Sequence, residues 1–147
     1  MGRFSGSRTR AALTLFALLG VGSLASSCGG AMRPEELGRS VDGLASSAAE
    51  GQLLASGVAR DRTKATFVRA HARELGEGVT HEAEKLHDAE ASGEVAAKKA
   101  RAIELAGRIS QALGDLQVAP DSEGAGGRTA RTLSEPADEA TELADGL

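Results

Sequence analysis

The sequence predicts an all-α protein: a small antiparallel helical bundle or a long helical hairpin, after a cleaved leader and before a flexible C-terminal tail. Residues 34–117 contain one proline, Pro34, and are rich in the strong helix formers alanine, leucine, glutamate, arginine and lysine. Aromatic residues make up only 2% of the chain, although aromatic and β-branched residues favour strands. Apolar residues recur at helical spacing in three segments.

The first predicted helix covers residues 35–59. Pro34 suits its first turn because the missing N–H has no helical partner there, and the acidic residues that follow favour the positive end of the helix dipole. Its apolar stripe alternates steps of four and three residues: Leu37, Val41, Leu44, Ala48, Gly51, Ala55 and Val58.

The second predicted helix covers residues 62–91, with Val68, Val79 and Leu86 in its apolar stripe. Phe67 is the one aromatic residue outside the leader, and we expect it to be buried and central. Asp61 or Thr63 could cap this helix. No glycine or proline between positions 58 and 75 forces a turn, so one long bent helix over 35–91 is an open alternative.

The third predicted helix covers residues 94–117, after Ser92 as N-cap and before Ala119 and Pro120. Its stripe comprises Val95, Ala102, Ala106, Ile109, Leu113 and Leu116. Its basic cluster comprises Lys98, Lys99 and Arg101. We interpret this cluster as the partner of the acidic residues in the second helix. The alternative is a docking patch for an acidic partner or a lipid headgroup.

The folded domain, residues 34–119, is expected to be followed by a flexible tail, 120–147. Residues 120–135 are rich in glycine, serine and threonine and show no apolar period. Residues 136–147 contain enough alanine and leucine for a short, marginal helix.

Residues 1–27 have the three parts of a secretory signal peptide. Arg3, Arg8 and Arg10 precede an uncharged, mostly apolar run over 11–25, and small residues follow it. This run is shorter than the roughly 20 apolar residues that a membrane span needs. We therefore expect the protein to be exported and residues 1–27 to be removed.

The segment Leu24-Ala25-Ser26-Ser27-Cys28 resembles the lipobox of bacterial lipoproteins. The resemblance implies a diacylglyceryl group on Cys28, then cleavage before it, so that residues 28–33 form a lipidated cysteine and tether. Ala25 departs from the leucine usual at that position. Acyl chains on Cys28 would anchor the protein at the outer face of the cell membrane, or in an outer membrane where the cell has one. An ordinary secreted protein with an incidental cysteine is the alternative.

Charge and cysteine content exclude several classes of function. The single cysteine excludes an internal disulfide and a cysteine-based zinc site. The net charge of −4 argues against nucleic acid as the main partner. Loss of the leader removes three arginines and no acid, which makes the mature chain more acidic and repelled by anionic headgroups.

The only candidate metal ligands are His81, Glu84 and His87, and they are weak candidates. Glu84 and His87 fit the Glu-x-x-His spacing of di-iron bundles, but that site needs two such motifs and two more glutamates. If Val79 and Leu86 face the core, the two histidines project into solvent. We therefore predict a solvated helix face, with no cofactor and no catalytic residue.

The function expected from the sequence is that of a non-enzymatic envelope lipoprotein with a helical protein-interaction surface. Its partners would be the membrane, through Cys28, and an envelope protein, and self-association stays open. One alternative is a metal-binding bundle that uses histidine and glutamate residues within 71–88. Another is a helical sensor or inhibitor of an envelope enzyme.

Overall fold

The computed structural model describes residues 31–147 as four α-helices joined by short connections. They are α1, Pro34–Ala59; α2, Ala65–Asp88; α3, Gly93–Val118; and α4, Glu123–Asp145. The predicted all-α class is confirmed. The described part of the chain has one long helix more than the three that the sequence predicted.

The helices form an up-down-up-down bundle, since short connections place successive helices antiparallel. Helix α1 packs most extensively on α4, and α2 packs on α3. Helices α1 and α3 also meet across the middle, whereas the backbones of α2 and α4 do not approach each other closely. The apolar core fills the space that the four helices enclose.

The two ends of the bundle hold different connections. At one end, the Met32 N–H donates to the Glu90 carbonyl at 2.7 Å and the Lys98 ammonium to the Gly146 carbonyl at 2.7 Å. This terminal end therefore gathers the start of α1, the α2–α3 connection and the end of α4. The opposite end, here the loop end, holds the α1–α2 and α3–α4 connections.

Helices α1 and α2 are separate, so the alternative of one bent helix over 35–91 is wrong. The Asp61 N–H donates to the Val58 carbonyl at 3.0 Å, and the Arg62 N–H donates to the Gly57 carbonyl at 2.9 Å. These two bonds form a Schellman motif, with Asp61 in the left-handed region at φ 51°. Asp61 thus ends α1 and does not cap α2, whose N-cap is Lys64.

The predicted apolar stripes of α1 to α3 do face the core. A larger cluster toward the terminal end includes Leu37, Leu44, Leu86 and Leu105. A smaller cluster at the loop end comprises Leu54, Ala55, Val58, Val68, Ala72 and Leu116. Apolar burial therefore runs along the whole bundle axis.

Phe67 is not buried, contrary to expectation: its exposed fraction is 56%. The neighbouring Val68 takes the core position with no exposure. Successive residues of a helix lie 100° apart, so Phe67 is turned out of the core toward the edge of α2. Its ring stacks on that of His71, with centroids 5.3 Å apart.

The flexible tail predicted over 120–147 is also wrong, because most of it forms α4. The Ser122 hydroxyl accepts a hydrogen bond from the Ala125 N–H at 3.2 Å and caps the helix. The buried positions of α4 are Ala125, Gly126, Thr129, Leu133, Pro136 and Ala140. Pro136 leaves the Thr132 carbonyl without its helical donor. Thr132 is exposed, so water can bind that carbonyl.

Candidate functional site

The predicted lipidation site, Cys28, and the leader lie outside the described residues. Their assignment therefore stays a prediction from the sequence. Within residues 31–147, no helix is long and apolar enough to cross a membrane.

The residues singled out for metal binding lie along the outer face of α2. His81 and Glu84 line an open groove between α2 and α3, with a volume of about 370 Å³. His87 is exposed and does not line it. Residues 31–147 contain no group of three or more histidine, cysteine, aspartate or glutamate side chains arranged to hold a metal ion. The three candidates are thus not brought together as a ligand set.

Gly76 of α2 is one of the residues that line the α2–α3 groove. A Cβ added at Gly76 would have Gln117 Nε2, at 3.7 Å, as its nearest neighbour from another helix. The remaining lining is polar and comprises Arg73, Glu77, Thr80 and Ser110. The Arg73 guanidinium lies 3.4 Å from the Glu77 carboxylate, so these two charges at the groove partly neutralise each other.

His71, which the sequence analysis did not single out, joins α1 to α2. Its Nε2 lies 2.7 Å from Glu50 Oε1 on α1, and its Nδ1 lies 3.6 Å from Glu74 Oε2 on α2 itself. The Phe67 ring covers one of its faces at an interplanar angle of 23°. Phe67 and His71 are four residues apart in sequence, and His71 and Glu74 are three residues apart. Both spacings place side chains next to each other on a helix, so this group could have been found from the sequence.

Two large apolar side chains are exposed beside the α1–α2 contact. Leu53 is 74% exposed and Phe67 is 56% exposed. Leu53 follows Glu50 by one turn on α1, and Phe67 precedes His71 by one turn on α2. Because the helices are antiparallel and Glu50 contacts His71, Leu53 and Phe67 lie at one level, on the two sides of the same interhelical groove.

The connection next to this pair is basic. Arg60, Arg62 and Lys64 are exposed, and none of them forms an ion pair with any residue of the described range 31–147. Asp61 is the one acidic residue in the connection. We call the five exposed residues that combine these properties the α1–α2 surface: Leu53, Arg60, Arg62, Lys64 and Phe67.

The basic cluster of α3 forms no ion pair with the acidic residues of α2 in the described range, and its three members have different partners. Arg101 lies 2.6 Å from Glu139, and Lys98 pairs with Glu94 of its own helix at 2.7 Å. Lys99 donates to the Ala89 carbonyl at the end of α2 at 2.7 Å. The predicted pairing partner was wrong because α4, which lies beside α3, was not expected to be a helix.

Arg108 extends this contact into an ion-pair network between α3 and α4. Its guanidinium contacts Glu135 and Glu139, each at 2.9 Å. The hydrogen bond from Arg108 lowers the pKa of the Glu139 carboxyl, and Arg101 adds to the effect. The same bond raises the pKa of Arg108. The network joins α3 to α4 by three ion pairs and leaves these charges paired.

The chain matches no family model, no curated protein and no solved structure.

Proposed function

We propose that the protein is a non-enzymatic envelope lipoprotein, anchored through acyl chains on Cys28, that presents its helical bundle to a protein partner. The observation that carries the proposal is the position of Cys28. It directly follows the apolar run and small residues of the leader. Only five residues lie between it and the first residue of α1.

The geometry of the bundle supports a tether at Cys28. Pro34 begins α1 at the terminal end, with Met32 held there by the Glu90 carbonyl. A lipid on Cys28 would therefore hold the terminal end next to the membrane. Helix α1 has 26 residues, so the loop end would lie about 40 Å farther out.

The charge at the terminal end supports a bundle that stands off the membrane. Exposed acidic residues there include Glu35, Asp88, Glu90, Glu142 and Asp145. Anionic headgroups repel such a surface, so the lipid would act as an anchor without drawing the protein domain onto the bilayer. The loop end then remains accessible to other proteins.

The anchor is tested by expressing the full chain in a bacterium with radiolabelled palmitate, as wild type and as Cys28→Ala. We expect the wild type to be labelled and Cys28→Ala to be unlabelled, with Ser46→Ala as a labelled control. Mass spectrometry of the wild type should find a diacylglyceryl-modified peptide that begins at Cys28. An unlabelled wild type, or a Cys28→Ala variant that keeps the label, would refute the anchor.

A further inference from the structure

We infer that the α1–α2 surface binds an acidic segment of a partner protein. Leu53 and Phe67 supply the apolar contacts, and Arg60, Arg62 and Lys64 supply the charges. The inference deepens the proposed function and rests on it for the direction in which the surface points. The binding chemistry itself depends only on the described bundle.

The apolar half of the surface is preorganised for contact. Phe67 is more than half exposed, yet its ring is stacked on His71, which is itself hydrogen-bonded to Glu50 at 2.7 Å. An aromatic side chain that is already ordered loses little conformational freedom on binding. Exposed aromatic residues are also among the commonest anchors of protein interfaces. Leu53, across the groove, extends the apolar area that a partner could cover.

The basic half of the surface is held in place by the turn between α1 and α2. The Schellman bonds to Gly57 and Val58 fix the backbone of the connection. The Thr63 side chain packs against Gly57 and adds to this order. The basic side chains of the connection therefore start from a defined backbone conformation.

The charges indicate the chemistry of the occupant. Arg101 and Arg108 bind carboxylates within the bundle, whereas the three cations of the connection have no such partner in the part of the chain that the structure describes. The connection carries three cations and one acid, opposite in sign to the net charge of −4 of the whole chain. Carboxylates from another protein complement it.

An acidic protein segment fits the surface better than a second copy or a lipid bilayer. Pairing through the same surface of a second copy would bring like charges together. A bilayer that holds the Cys28 anchor would lie at the terminal end, about 40 Å from the α1–α2 connection. A soluble or membrane-bound partner that presents carboxylates can reach the loop end directly.

The inference is tested by fluorescence anisotropy with the full chain, purified in a neutral detergent. The probe is a labelled 12-residue peptide in which glutamate alternates with leucine and phenylalanine. The comparison peptide carries glutamine in place of each glutamate. We expect the acidic peptide to bind at least about tenfold more tightly, with an affinity that falls about tenfold between low and physiological salt.

Two variants test the two halves of the surface. Arg60→Glu/Arg62→Glu/Lys64→Glu should weaken binding of the acidic peptide at least about tenfold. Phe67→Ala should weaken it about fivefold at every salt concentration, because the lost contact is apolar. Circular dichroism melts should show that both variants remain folded.

A matched control separates the surface from the overall charge. Arg33→Glu/Arg39→Glu/Lys85→Glu makes the same change in net charge at exposed positions toward the terminal end of the bundle. We expect it to change the affinity less than about twofold. An equal loss in this control, or equal binding of the glutamine peptide, would overturn the inference. So would saturation by phosphatidylglycerol added to the micelles, which would assign the surface to lipid.

A second test identifies the site of contact in cells. A photocrosslinking amino acid at position 67 of the full chain should capture a peptide rich in aspartate and glutamate, and one at Thr141 should not. The triple charge reversal should abolish this crosslink, and replacement of the captured acids by lysine should restore it. Palmitate labelling reports only on the anchor, so either proposal can fail without the other.

Discussion

Helices α1 and α4 pack backbone against backbone, whereas α2 and α3 leave a groove, although both pairs contain interior glycines. A Cβ at Gly126 of α4 would lie 2.7 Å from the Ala55 carbonyl oxygen and 2.9 Å from the Val58 Cβ of α1. At Gly76 of α2 the corresponding distance, to Gln117 of α3, is 3.7 Å. A glycine is thus required for close backbone contact between α1 and α4, whereas the Gly76 position between α2 and α3 has room for a methyl group.

The two helix pairs also differ in how many residues are buried on α2 and on α4. Helix α2 has a clear apolar stripe, yet buries only Val68, Ala72, Val79 and Leu86. Helix α4 buries six residues, two of which are Gly126 and Pro136. A clear apolar period therefore identifies a helix without measuring how much of it the neighbours cover.

The largest effect is expected where α4 contributes a large side chain to the core. Leu133 is fully buried, so Leu133→Ala should lower the free energy of unfolding by about 3 kcal/mol through lost burial and a cavity. Leu53→Ala, at a side chain that is 74% exposed, should change it by less than about 0.5 kcal/mol. Urea denaturation measures both values. Equal effects would mean that α4 is not part of the folded core.

A smaller effect is expected from glycine substitutions in the two pairs. Gly126→Ala should destabilise the protein by about 1 to 2 kcal/mol, because backbone atoms of α1 block the added methyl group and outweigh the gain in helix propensity. Gly78→Ala on α2 meets no atom within 4 Å, and should stabilise by about 0.5 to 1 kcal/mol. Thermal unfolding of both variants distinguishes them. Stability changes of the same sign in both variants would contradict the difference in packing between the two positions.

The ion pairs between α3 and α4 predict that the stability of the protein depends on pH. The pKa of Glu139 is lowered by Arg108 in the folded state. Its contribution to stability is therefore present above the unfolded carboxyl pKa and is lost as the pH falls through the folded value. Glu139→Gln should cost about 1 kcal/mol near neutral pH. It should also flatten the fall in stability toward acidic pH.

The matched control for this pH effect is Glu84→Gln, which removes a carboxylate of the α2–α3 groove. Glu84 forms no ion pair within residues 31–147, so the control should retain both the neutral stability and the acidic profile of the wild type. Urea titrations at several pH values make the measurement. A Glu139→Gln protein with the wild-type profile would contradict the assigned ion pairs.

The smallest effect is expected at the turn between α1 and α2. Asp61 occupies the left-handed region, which glycine adopts without steric strain. Asp61→Gly should therefore stabilise the protein by about 0.5 kcal/mol. The same change at Asp115, in an exposed helical position, should destabilise it slightly. A loss of stability at position 61 in thermal melts would show that the aspartate side chain does more than occupy the turn.

The fold class and the first three helices could be predicted because their information is local. Steps of four and three residues place Leu37, Val41 and Leu44 on one face of α1 whatever that face contacts. Ser92 was correctly assigned as the N-cap of α3. The exposure of His81 and His87 followed from the apolar positions around them. The end of α1 at Asp61 could not be predicted in this way, because an aspartate takes the place where a glycine usually marks a helix end.

The sequence by itself determined the helical class and the apolar stripes of α1 to α3, because helix propensity and apolar period act within one segment. Only the tertiary structure decided that Gly126 and Pro136 are buried positions of the helix over residues 123–145, with Gly126 in close contact with α1. It also decided that Phe67 faces solvent, because the angular sector that neighbours cover depends on where they pack. Which side chains of a helix are buried depends on the helices that pack against it, and the sequence of one segment does not specify those neighbours.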